Sequence, residues 1–174
     1  MDAIYAPIEL RSIDGAAPRL TGRLMRYGAP GEHGREVFVR GALRWPSNGI
    51  RIDLEHLSSP ARGAVQIPIM RVVPELRADG GEVWIDAPMP DTAAARDLAA
   101  HLRADPPTFA GLSVEFTRAD AYVSGGRRHI RSAYLEGAGL VGRPSYTGTS
   151  VALRSSTEIA GAYGYNGVRR RIWI

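Results

Sequence analysis

The feature that most constrains the fold is how often glycine and proline interrupt the chain. Twenty glycines and 12 prolines divide 174 residues into short β-compatible runs. These fall at 4–13, 19–28, 36–39, 50–54, 64–73, 82–89, 112–116, 121–124, 129–141 and 150–154. Turn signals such as Asp79-Gly80-Gly81 and Ser124-Gly125-Gly126 separate them. Strand signals at this density predict a mainly β (α+β) fold, an antiparallel barrel or sandwich. One segment breaks the pattern. Residues 91–105 read as a helix with Asp91 as N-cap and Pro106-Pro107 as a stop, and Ala95, Leu98, Ala99 and Leu102 form its apolar face. A shorter helical turn is expected at 41–45, ended by Pro46. Residues 1–154 read as one domain. The tail 155–174, closing on Arg169-Arg170-Arg171-Ile172-Trp173-Ile174, reads as a flexible or docking appendage.

Composition narrows the function classes. With 44% hydrophobic and 23% charged residues, the chain has the make-up of an ordinary globular domain. It has no cysteine, so it has neither a disulfide framework nor a cysteine-ligated metal site. No apolar run approaches the roughly 20 residues of a membrane span, and residues 1–12 lack the basic segment of a signal peptide. No P-loop, no Gly-x-Gly-x-x-Gly fingerprint and no i, i+4 histidine pair occurs, so no cofactor or metal is expected. All 22 basic residues are arginine and the net charge is +4. The arginines are dispersed, with dense runs only at 127–128 and 169–171. A small nucleic-acid-binding barrel would interleave them with exposed aromatics. Trp45, Trp84 and Trp173 are instead scattered, and neither nucleic acid nor a membrane is an expected partner.

Three polar residues stand in apolar strand contexts. Ser113 lies between Leu112 and Val114. It is either a small residue at a tight crossing or a nucleophile, and Glu115 stands where a Gly-x-Ser-x-Gly elbow would place its second glycine. His56 follows the alternating run Ile50-Arg51-Ile52-Asp53-Leu54. Parity puts His56 on the inward face with Ile50, Ile52 and Leu54, while Asp53 and Glu55 face outward. It is either a hydrogen-bonded core histidine or a general base. Glu136 follows Leu135 and precedes Gly137-Ala138-Gly139, small residues that let another backbone or a substrate approach. It is either an outward glutamate on an edge strand or the carboxylate that orients an imidazole. His33, His101 and His129 are weaker candidates, in a loop, on the helix and after a turn.

The order of these residues and their flanks resembles the HK97-type phage prohead (capsid maturation) serine proteases. The resemblance runs from about residue 19 to 154. It is carried by 21–43, by the histidine strand 50–57, by the helix followed by Gly111-Leu112-Ser113-Val114-Glu115-Phe116, and by the closing segment Leu135-Glu136 through Arg143-Pro144. Leu57 stands where the family often has aspartate, and Gly139 where its closing motif has serine. The resemblance implies Ser113 as nucleophile, His56 as general base and Glu136 as orienting acid, with Arg143 as an oxyanion donor. It also implies a closed or nearly closed antiparallel β-barrel with a few surrounding helices, as in the herpesvirus assembly proteases. The implied activity is a serine endopeptidase inside the immature prohead, in the host bacterial cytoplasm. It would cut scaffold segments of the major capsid protein and other prohead components, with the portal as a further contact and a homo-oligomer as a possible form. The second reading is a catalytically silent assembly component of the capsid or virion.

Overall fold

The longest hairpin is set by two glycines. Gly125 and Gly126 both take positive φ, 56° and 73°, which a two-residue hairpin turn requires and glycine accepts without strain. The computed structural model describes residues 18–31, 34–57, 67–142 and 149–154. The expected strand at 4–13, the tail 155–174, His33 and Arg143 lie outside them. In chain order the elements are β1 (Arg19–Arg26), β2 (Glu36–Phe38), β3 (Leu43–Arg44), β4 (Ile50–Leu54), β5 (Met70–Val72), β6 (Glu75–Arg77), β7 (Glu82–Pro88), α1 (Ala93–Arg103), β8 (Gly111–Ser124), β9 (Arg127–Val141) and β10 (Ala152–Arg154). The chain is mainly β with one helix among the described residues.

The spine is β9. Along one edge it pairs antiparallel with β8, from Ser124↔Arg127 to Gly111↔Val141. Along the other edge it pairs parallel with β2, β3 and β4 in succession, and β5 adds outside β4. This six-stranded sheet is therefore mixed, where uniform antiparallel pairing was expected. The three parallel strands are consecutive pieces of one chain. The long connection from β4 to β9, which carries β5 to β8 and α1, supplies the crossover that parallel pairing with β9 requires. The second sheet is antiparallel, in the order β10-β1-β7-β6. Among the described residues no ladder joins the two sheets.

The sheets meet where side chains are missing. A Cβ at Gly22 of β1 would lie 2.4 Å from the Ser150 carbonyl and 2.6 Å from Leu112 Cδ1 of β8. Only glycine lets β1 come this close. Leu20, Leu24, Ile52, Ile85, Leu112 and Leu140 are fully buried in the shared core, each contributing about 1.5–3 kcal/mol. Phe38 meets Phe116 edge-on at 4.9 Å.

Helix α1 buries Ala95, Leu98, Ala99 and Leu102, the face its periodicity predicts. Its N-cap is Thr92 rather than Asp91: Thr92 Oγ1 accepts the Ala95 N–H at 3.2 Å, while Asp91 pairs with Arg96. The expected helical turn at 41–45 is instead strand β3. Gly41 at φ 74° turns the chain, Leu43 is buried, and Leu43 and Arg44 pair with Ala133 and Tyr134. Residues 112–116 and 121–124 belong to one strand, with the polar stretch between them absorbed by irregularities in the ladder around Arg118, which takes φ 51°. Replacement of Gly22 by alanine should cost about 1–3 kcal/mol in urea unfolding, because backbone rather than a flexible side chain blocks the methyl.

Candidate active site

The outer face of the six-stranded sheet, away from Ile52, Leu112 and Leu140, holds a compact polar grid. Register fixes it. Arg51, Gly137 and Glu115 form one row across β4, β9 and β8; Asp53, Gly139 and Ser113 form the next. The middle of each row is a glycine, so side chains from both flanking strands can lie over β9. The Arg51 guanidinium donates to Glu115 Oε2 at 2.7 Å above Gly137. A Cβ at Gly137 would stand 3.2 Å from Arg51 Nη2 and 3.3 Å from Glu115 Oε2.

His56 lies above the second row. A Cβ at Gly139 would fall 2.9 Å from its Nδ1 and 3.0 Å from its Cε1. The imidazole therefore rests directly on the Gly139 backbone. Antiparallel partners carry Cβ atoms about 4.5–5.5 Å apart. Ser113 is the partner of Gly139, so its side chain rises on the same face of the sheet that the ring covers. His56 is 7% exposed and Ser113 8% exposed.

The parity argument puts His56 on the wrong face. Strand β4 ends at Leu54, and Glu55 and His56 take φ 48° and 62°. Glu55 N–H still bonds the Leu140 carbonyl, and Leu57 N–H closes back on Leu54. This left-handed turn swings His56 out of the alternation and over the glycine. Asp53, expected to face outward, does lie on the outer face but is 3% exposed beneath this cover.

The carboxylate at the imidazole is Glu115. Its Oε1 lies 3.2 Å from His56 Nδ1, close enough for a charge-assisted contact although the alignment falls short of a good hydrogen bond. Glu136 does not occupy this position. Leu135 pairs with Phe116 and Gly137 with Glu115, which leaves Glu136 as the extra residue of a β-bulge. Its Oε1 accepts the Thr117 hydroxyl at 2.8 Å, and it makes no ion pair with His56. The small residues after it accommodate this chain's own imidazole and guanidinium.

Sequence reasoning treated Glu115 only as a departure from a motif and passed over Arg51. The available signal was spacing: Ser113 and Glu115, at i and i+2 of a strand, share a face. The other described histidines lie elsewhere. His101 Nδ1 sits 3.2 Å from Thr108 Oγ1 at the end of α1, and His129 stacks on Tyr122 at 4.8 Å. No protein-family model, curated protein or solved structure matches the chain.

A neutral ring protonated at Nδ1 would turn that proton toward the Glu115 carboxylate and leave Nε2 as acceptor. This tautomer is the one a serine nucleophile needs. Gly139→Ala should lower stability by about 1–3 kcal/mol in urea unfolding, since its methyl meets the His56 backbone and ring. Gly137→Ala should cost less, because only the ends of Arg51 and Glu115 need to shift.

Proposed function

We propose that the chain is a serine endopeptidase of the HK97 prohead type, with Ser113 as nucleophile, His56 as general base and Glu115 as the orienting carboxylate. The observation that carries this reading is the imidazole lying on Gly139, the strand partner of Ser113, with its Nδ1 facing Glu115. The order of motifs from residue 19 to 154 supplies the family, and with it the substrate class: scaffold segments of a capsid protein cut within an immature shell. The nearly closed barrel of that family belongs to the same proposal, with the close approach of β1 to β8 at Gly22 as the point where the two sheets come together.

In the proposed reaction Ser113 Oγ attacks the scissile carbonyl carbon as His56 Nε2 takes its proton. The tetrahedral adduct collapses, the C–N bond breaks, and the same proton passes to the leaving amine. Water then hydrolyses the acyl-enzyme by the same base. Glu115 stabilises the imidazolium formed in both steps. Arg51 holds the opposite oxygen of Glu115, which keeps the carboxylate from turning away.

A fluorophosphonate probe tests the nucleophile without knowledge of the cleavage site. Mass spectrometry should locate the adduct on Ser113, and Ser113→Ala should abolish it while leaving the unfolding midpoint unchanged. A folded wild-type protein that never labels at Ser113, and that leaves its co-expressed capsid protein uncut, would return the chain to a silent assembly role. Glu115→Gln should slow labelling by up to about 10⁴-fold, the scale seen when a triad carboxylate is neutralised. Glu136→Gln should leave labelling near the wild-type rate, and the reverse ranking would make Glu136 the orienting acid.

A further inference from the structure

Most of the arginines on the sheets are matched by carboxylates: Arg19 by Asp86, Arg23 by Glu82 and Arg128 by Glu36. One cleft departs from this. It has a volume of about 490 Å³, lies where the end of β1 meets β2 and the start of β9, and is rimmed by Arg26, Arg40, Arg127 and His129. No acidic residue lines it. Among the described residues Arg26 and Arg127 are exposed and in no ion pair, and Arg40 donates to the neutral backbone carbonyl of Asp79. Two carboxylates on the neighbouring strands are committed elsewhere, Glu36 to Arg128 and Glu82 to Arg23 and Trp84 Nε1. Three guanidinium groups thus line one opening with no carboxylate among the described residues of its lining.

We infer that this cleft is a docking site for an acidic peptide segment. Guanidinium groups bind carboxylates in a planar, bidentate fashion, and the charge is complementary. The floor of Tyr27 and Val39 offers apolar surface to the methylenes of glutamate or to a neighbouring side chain. Single-stranded nucleic acid fits less well, because it needs exposed aromatic faces for its bases. Phe38 is 1% exposed, and Tyr122, 44% exposed, stacks one face on His129 and does not line the cleft. About ten residues of β9 separate His129 from Gly139, roughly 30 Å at the strand rise. The site is therefore remote from Ser113 and does not rest on the peptidase reading.

Fluorescence anisotropy with a labelled hexaglutamate peptide tests this on the full chain. Wild type should bind saturably at low salt and lose affinity as salt rises. The Arg26→Gln/Arg40→Gln/Arg127→Gln variant should bind about ten-fold more weakly or worse, as expected when charge-assisted bonds are lost. Arg26→Gln/Arg127→Gln spares the Arg40–Asp79 contact and covers the case in which the triple variant fails to fold. Arg96→Gln/Arg103→Gln on α1 changes the net charge without touching the cleft and should bind as wild type does. Absence of hexaglutamate binding, or equal weakening in the α1 variant, would overturn the proposal. So would a single-stranded oligonucleotide that binds this cleft more tightly than the peptide.

Discussion

Two side chains absent from β9, at positions 137 and 139, are what the arrangement of the polar face depends on. A central strand normally raises a Cβ toward each face at every second residue. At these two positions it raises none, and polar groups from β4, from the turn after it and from β8 close over the gap. The same β9 residues that leave room outside are flanked by Ala138 and Leu140 pressed into the core. Core packing therefore fixes the height of the glycine floor, and the floor fixes where the imidazole rests.

Glu115 holds this face together electrically. A carboxylate 19% exposed must be paired or it pays heavily for lost hydration. It has two partners, Arg51 on one oxygen and His56 on the other. Because both oxygens are engaged, the carboxylate cannot rotate freely, and the ring facing it inherits that restraint. Supporting a functional group by a second layer of fixed partners is how a site reaches the tolerance catalysis needs. The fold thus places a hydroxyl, an imidazole, a carboxylate and a guanidinium on one surface through the register of three adjacent strands and one turn.

Much of the fold was legible in the sequence because it obeys simple periods. The apolar face of α1 and the strands 50–54 and 82–88 follow from spacing alone. What escaped was local departure from those periods. Short exposed strand β6 carries no alternation, with Glu75 and Leu76 both open to solvent. β3 hid behind helix-compatible residues, and its strand state comes from pairing with Ala133 and Tyr134. The site escaped for the same reason. Parity placed His56 inward, but Glu55 and His56 take left-handed backbone that neither residue type announces. Glu136 looked like the orienting acid, but the bulge at that residue hands it to Thr117 and leaves Glu115 facing the ring. Ser113 and His56 stand out in the sequence because their residue types are rare in such strands. Which carboxylate faces the imidazole could not be read without the ladder.

The central claim is that Glu115, above the glycine floor, sets the tautomer and position of His56 beside Ser113. The most direct measurement is the imidazole Nδ1–H proton resonance in ¹⁵N-histidine-labelled protein. A far-downfield signal assigned to His56 should be present in wild type and in Glu136→Gln and absent in Glu115→Gln. A signal that survives loss of Glu115 and vanishes with Glu136 would contradict the account.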